Sequence, residues 1–434
     1  GGYENLIKNA KQDGVEAVII ALPLHLHAPA AMAAMDAGLH VMCEKLMAHS
    51  VAQCKDMARM ARQTGTLLAV GHQRHYNILY ANAVDSIRRG ALGDLHYIRA
   101  QWHRGNLPGR DSWQQPMPRK VKPKDPLARQ LLETRKKYRE QYASSIGAAM
   151  DEARLRVEQV EAQIRDEIVK AENFSYQANQ ITDGSGKVIY ECPPIEELIR
   201  WRLWDRTGGG LMAELGSHQL DAASIFVAAM HGGEKQMPLS VAAAADRPLF
   251  PSDRDVEDHV YCLLEFPTPG YKKEDPLAKN NTIGVQYASI NGNGFGGYGE
   301  MVFGTKGTLI LDREQDMLIA GDSESISDVK VADAAAGPTL DTQASNGPST
   351  ATAAGPAKVS RGYTEELEHW AWCIRNPAPE NQPRCNPRVA LGDAVIALTA
   401  NIAARNGLRI EFKKEWFDID SDETPEGDAP NVKS

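Results

Sequence analysis

Three apolar runs dominate the start of the chain, residues 15–22, 39–43 and 66–70, and Ala-rich stretches with helical spacing separate them. Runs this short and this uniformly apolar suit strands buried on both faces, and strands alternating with helices imply a parallel sheet. The punctuation agrees. Pro23 removes a ladder donor after the first run, Pro29 opens a helix that Gly38 stops, Ser50 caps a helix over 51–63, and Gly65 ends it. A sheet of this kind binds ligands at the carboxyl ends of its strands. Those ends carry His25 and His27, then Glu44 and Lys45, then Gly71-His-Gln-Arg-His-Tyr-Asn77. A charged pair closing an apolar strand costs free energy unless it is partnered, which makes Glu44 and Lys45 candidate site residues. An exposed Lys45 paired with Glu44 is the plainer alternative.

From residue 78 the pattern changes. A helix over 79–89 leads through Gly90 and Gly93 to a strand over 95–102. A charged interval follows, 119–197, in which Ile146, Met150, Ala153, Val157, Val160, Ile164 and Ile168 recur every three or four residues. That stripe predicts a helical hairpin or coiled coil, read as a surface insertion that serves oligomer contacts. Strand-like runs at 239–245, 259–266, 282–290, 299–303 and 307–311 then predict a large, mostly antiparallel sheet. Residues 332–358 read as a flexible surface loop, two helices follow over 364–375 and 387–405, and the acidic tail after Asp418 reads as disordered.

The expected architecture is α/β plus α+β: a partial Rossmann-type parallel sheet, then a large, mostly antiparallel sheet domain with a helical insertion. Residues 1–77 would be the C-terminal half of a dinucleotide-binding domain. Residues 78–418 would form the substrate and oligomerisation domain, with the insertion at about 119–197, and 419–434 the disordered tail. A doubly wound domain normally has about six strands. With three here, the upstream half is expected to lie before Gly1.

Composition narrows the field. The formal net charge of −9 argues against a nucleic-acid partner. No run approaches the roughly 20 apolar residues of a membrane span. Six scattered cysteines without C-x-x-C spacing read as reduced thiols. A cytoplasmic protein is expected, with export left open.

Chemistry concentrates after Gly208-Gly-Gly210, where a helical segment carries Glu214, His218 and Asp221. Residues four apart share a helix face, and a neutral His beside carboxylates suits a general base. A His satisfied by a core carboxylate is the alternative. His25-Leu-His27 has metal-ligand spacing, but the metal hydrolases that use it need a β/α barrel, and the strand–helix repeat stops after three strands. A role lining a cofactor cleft fits these residues better, and no metal is assigned. Gly292-Asn-Gly-Phe-Gly-Gly297 satisfies G-x-G-x-x-G but is followed by strand rather than helix, so it reads as a turn.

Taken together, Ala21-Leu-Pro-Leu-His-Leu-His27, Ala37-Gly-Leu-His-Val-Met-Cys-Glu-Lys45, Gly208-Gly-Gly-Leu-Met-Ala-Glu-Leu-Gly-Ser-His-Gln-Leu-Asp221 and Tyr298-Gly-Glu-Met-Val-Phe-Gly-Thr-Lys-Gly-Thr308 resemble the Gfo/Idh/MocA family of NAD(P)-dependent oxidoreductases. The resemblance implies hydride transfer between a sugar or polyol hydroxyl and NAD or NADP. Lys45, His218 and Glu214 would be catalytic, with His218 oriented by Glu214. Pro23, His25, His27, Glu44, Lys45, Gln73 and Arg74 would meet the cofactor. Asp221, His218, Trp102 and Arg104 would meet the substrate, with His103 and Trp113 also near it. Leu46 stands where the family has Pro, and Leu24 where it usually has Asn. A homo-oligomer, dimer or tetramer, formed through the large sheet is also implied. Two other readings stay open: an NAD-dependent glycoside hydrolase or lyase working through a keto intermediate, and a non-catalytic binding or scaffold protein.

Overall fold

The computed structural model describes residues 2–107, 126–165, 171–314, 316–321, 326–334, 337–341 and 360–433. The three apolar runs form β1 (Ala17–Ile20), β2 (His40–Glu44) and β3 (Leu68–Gly71), all parallel and in the order β1-β2-β3, with Val18 opposite Val41 and Val41 opposite Leu68. The crossovers are helices His27–Asp36 and Val51–Thr64. Ser50 Oγ accepts from Gln53 N at 3.2 Å, and Gly65 takes the left-handed conformation (φ 67°) that ends the second helix.

β4 (Leu95–His103) belongs to a second sheet. After the hairpin β5 (Asn179–Thr182) and β6 (Val188–Cys192), the chain enters β7 (Ser240–Asp246), β8 (His259–Pro267), β9 (Thr282–Ile290), β10 (Tyr298–Gly304), β11 (Gly307–Asp312) and β12 (Asp316–Gly321). It continues through β13 (Ile326–Ala334) and β14 (Gly337–Asp341), and ends with β15 (Arg409–Glu411). The ten-stranded sheet runs β14-β13-β12-β11-β10-β4-β9-β8-β7-β15, antiparallel at every step except β4 with β9. Residues 332–334 and 337–341, expected in a loop, instead pair as strands, Val331 opposite Leu340, while 342–358 lie outside the described residues.

Two compact units emerge. One comprises Gly1–Asn106, Asp205–Leu249 and Val256–Ser434; the other comprises Leu107–Trp204 and Phe250–Asp255. The break between these units falls at the insertion, and residues on both sides of Asn77 lie in the first unit. The cause is helix Pro387–Asn406, which packs on both Val51–Thr64 and β7, so the parallel strands and the large sheet share one apolar core. By length and composition this helix could cross a membrane, yet Leu391, Val395 and Ile396 are wholly buried, each stabilising the fold by about 1.5–3 kcal/mol.

In the insertion unit, helices Pro126–Ser144 and Ala148–Arg165 form the expected hairpin. Ala153 and Val160 are buried, but Ile146 is 88% exposed because it lies in the turn rather than on the stripe; Ile168 lies outside the described residues.

The acidic tail is ordered through residue 433, a correction to the expected disorder. The buried Lys55 ammonium donates to the carbonyls of Glu415, Ser421 and Glu423 at 2.7–2.8 Å, and Arg59 binds the carbonyls of Ile419, Ser421 and Val432. Two cations on one helix turn supply what a polar segment cannot supply for itself.

Candidate active site

Lys45 follows the last residue of β2, at the carboxyl end of the parallel sheet. Its Nζ donates to the carbonyl of Glu214, and its backbone N–H donates to Glu44 Oε2 at 3.2 Å. The Lys45–Leu46 peptide is cis. Gly71, at the end of β3, leaves space for Glu44: a Cβ there would stand 3.2 Å from its Oε2. His27 ties the neighbouring loops together, one ring nitrogen 2.9 Å from Leu46 O and the other 2.8 Å from Leu22 O.

Glu214 lies in a single π-helical turn, Met212–Gly216, which runs straight into helix Ser217–Met230 with His218 in its first turn. π-Turns inside α-helices recur at functional sites because they re-aim side chains. Here Glu214 Oε1 accepts from Arg104 Nη1 at 2.9 Å, and its main-chain oxygen takes Lys45. The expected Glu214–His218 couple is thus replaced by a Glu214–Arg104 ion pair.

His218 is buried against Trp102, ring centroids 5.5 Å apart, with the His72 ring at 6.5 Å. Its Nδ1 has no hydrogen-bond partner among the described residues. Burial, then the positive charges of Lys45 and Arg74, push its pKa well below the ordinary histidine value, so it is neutral near pH 7. Trp102 in turn stacks on Tyr298 at 4.4 Å, and the Arg104 guanidinium lies 5.9 Å from the Trp102 ring.

Several predicted contacts turn inward. Arg74 is 1% exposed; its Nε donates to Glu314 at 2.9 Å, its Nη1 lies 3.3 Å from Glu300, and it also donates to the carbonyl of His218. A buried guanidinium needs such partners, and through the carbonyl of His218 Arg74 holds the His218 helix. Gln73 and His27 are likewise buried. Asp221 is 1% exposed and accepts from His75 at 2.9 Å. Burial alone would raise its pKa, but His75 and His72 outweigh that and keep it well below the carboxylate range. Its contacts with His75 and His72 join helix Ser217–Met230 to the segment after β3. Pro23, His25, Glu44, Lys45, Trp102 and Arg104 are partly buried. Trp113 lies outside the described residues.

Glu300, Glu314 and Tyr298 were not foreseen. Glu300 is wholly buried, hydrogen-bonded by Tyr80 at 2.8 Å and Gln219 at 2.7 Å, and burial lifts its pKa to about 7. A Glu at an inward position of an antiparallel strand was the available signal.

Comparison with known proteins bears on the family and the fold. Residues 2–72 match the family described as "Oxidoreductase family, NAD-binding Rossmann fold". A dTDP-3,4-didehydro-2,6-dideoxy-alpha-D-glucose 3-reductase from Streptomyces violaceoruber is 34% identical over 101 residues, 23% of this chain and 29% of that protein. A 2,7-anhydro-N-acetylneuraminate hydratase from Mediterraneibacter gnavus is 29% identical over 109 residues, 25% of this chain and 26% of that protein. The chain thus spans under a third of the length of the curated relatives it matches. Among solved structures, an inositol dehydrogenase homologue from Azotobacter vinelandii with NADH and myo-inositol aligns at a TM-score of 0.59 and 13% identity, covering 94% of this chain and 82% of that one. A levoglucosan dehydrogenase with NADH and levoglucosan aligns at 0.53 and 16%, with 94% and 82% covered. Residues 2–72 are thus similar to the Gfo/Idh/MocA oxidoreductase family, within a chain that shares the fold of these dehydrogenase structures.

Proposed function

We propose that the protein is an NAD(P)-dependent dehydrogenase acting on a hydroxyl group of a sugar or polyol, with Lys45 and His218 at the reacting centre. The observation that carries this reading is the bond from Lys45 Nζ to the Glu214 carbonyl, which fixes an ammonium beside the turn that delivers a buried, neutral His218. The cofactor would accept hydride from the carbinol carbon. The residues present suit its nicotinamide end: Pro23, His25, Glu44 and Lys45 are partly buried at the ends of successive parallel strands.

His218, being neutral, would take the hydroxyl proton on its open Nδ1, and the lowered pKa sets the driving force for giving that proton up again. Lys45 would hold the oxygen as negative charge develops, the kind of preorganised donor worth roughly 3 kcal/mol in a barrier. Trp102 offers an aromatic face for a hydroxylated ring, and Arg104, fixed by Glu214, offers donors at its rim. Exposed Tyr261 and Leu263 on the outer face of β8 would mark the surface for self-association, which sedentary size measurements by light scattering would test.

The test is formation of reduced cofactor by the full chain with a panel of sugars and polyols. Turnover that falls about a hundredfold in Lys45→Met and in His218→Gln supports the assignment; variants as active as the parent would exclude it. One relative is named as a hydratase, a reaction without net oxidation, and this keeps a transient-redox reading alive. Substrate consumption without net cofactor reduction would favour it.

A further inference from the structure

We propose that His72, Asp221 and Asp393 form a binding site for a divalent transition-metal ion, zinc being the best fit. Three separate elements bring them together: His72 follows β3, Asp221 lies in helix Ser217–Met230, and Asp393 lies in helix Pro387–Asn406. One ligand atom from each lies within 4.8 Å of the others. His72 Nδ1 and Asp221 Oδ2 are 3.5 Å apart. Two donors bound tetrahedrally to one zinc at about 2.1 Å would stand roughly 3.4 Å apart.

The hydrogen bonding singles out the same atoms. Asp221 Oδ1 accepts from His75, and Asp393 Oδ1 accepts from Lys235. Asp221 Oδ2 has the His72 Nδ1 contact at 3.5 Å, while Asp393 Oδ2 and His72 Nε2 are buried without a hydrogen-bond partner among the described residues. Each of the three residues is 1% exposed. An unpaired buried polar atom costs about 1–3 kcal/mol, and a charged one more. Lys235 donates to Asp393, and Asp221 meets His75 and, at 3.5 Å, His72. A dication in the common space would meet all the free lone pairs and the remaining negative charge at once. A water molecule would meet only the lone pairs.

The donor set points to the kind of ion. Cys385 and His75 cluster about the same Asp393 within 4.8 Å, which places a sulfur in the neighbourhood. Imidazole, carboxylate and thiol together suit zinc, whereas magnesium and calcium take oxygen ligands. The ion would not touch the reacting atoms. The His72 ring lies 6.5 Å from that of His218, so the ion would pin β3 to the two core helices and fix the helix that presents His218. This site does not depend on the dehydrogenase reading, since metal content is measured without any substrate.

The experiment uses the full chain without a histidine tag, stripped with chelator and then titrated with zinc and, as a spectroscopic probe, cobalt(II). About one equivalent should bind, with visible d–d bands for cobalt and a raised unfolding temperature for zinc. His72→Leu leaves Asp221 with His75 and Asp393 with Lys235 and should fold, yet bind less than about a tenth of an equivalent. The proposal is overturned if the parent chain binds no stoichiometric metal, or if His72→Leu binds as much as the parent. Asp393→Asn should behave as His72→Leu does. If that variant does not fold, the first pair of measurements still decides.

Discussion

Replacing Arg74 by Met tests whether the His218 helix is held from behind by a buried charge network. The guanidinium lies against two buried carboxylates, Glu314 at 2.9 Å and Glu300 at 3.3 Å, and donates to the carbonyl of His218. Removing one member of a buried pair costs about 3–5 kcal/mol because the partner is left uncompensated. Two features move this case to the lower end. Glu314 keeps Arg361 at 2.8 Å, and Glu300, already lifted to about 7, can take up a proton. The loss should therefore be about 3 kcal/mol. It should also depend on pH. Glu300 titrates higher in the folded than in the unfolded chain, so its contribution is present at low pH and is lost as pH rises through its folded value. Without Arg74 that folded value rises further, so the variant should lose more stability at about pH 8 than at about pH 6. Urea unfolding followed by tryptophan fluorescence reads both quantities, and Glu300→Gln added to Arg74→Met should recover part of the loss. Destabilisation below about 1 kcal/mol, equal at both pH values, would refute the reasoning.

Other consequences are simpler to check. Lys55→Met should free the tail by removing three carbonyl contacts, lowering stability by about 2 kcal/mol and exposing residues 419–433 to limited proteolysis. Glu366 is buried, and its pKa is lifted to about 8 by burial and then by Glu44 and Asp221. Its stabilising contribution should therefore vanish as pH rises from about 4.5 to about 8, and Glu366→Gln should flatten that slope in pH-dependent denaturation. Ser50→Ala should cost about 1 kcal/mol through loss of the cap on Val51–Thr64, seen as a lower urea midpoint with unchanged slope.

Much of the fold is legible because strands buried on both faces must be apolar throughout. Residues 39–43 read as β2 for that reason, with Ser50 and Gly65 bounding the next helix. The tail misleads because an acidic, Pro- and Gly-containing segment looks unable to fold, while its anchors, Lys55 and Arg59, lie more than 350 positions earlier. The shared core is hidden on a similar ground: the helix that joins the two sheets comes near the end of the chain. At the site, Lys45 and His218 are recognisable by motif. The inward turn of Arg74 is not, since its partners Glu300, on β10, and Glu314, in the turn after β11, lie far away in sequence and carry no local mark. The same non-local assembly hides the cluster of His72, Asp221 and Asp393, whose residues look unremarkable taken singly.

The reacting centre is tested most directly by single-turnover kinetics with a substrate deuterated at the carbinol carbon, comparing the parent chain with His218→Gln. The account predicts that the hydride-transfer step slows at least about a hundredfold while substrate affinity changes little. An unchanged rate for that step, or a loss confined to affinity, would contradict the role assigned to His218.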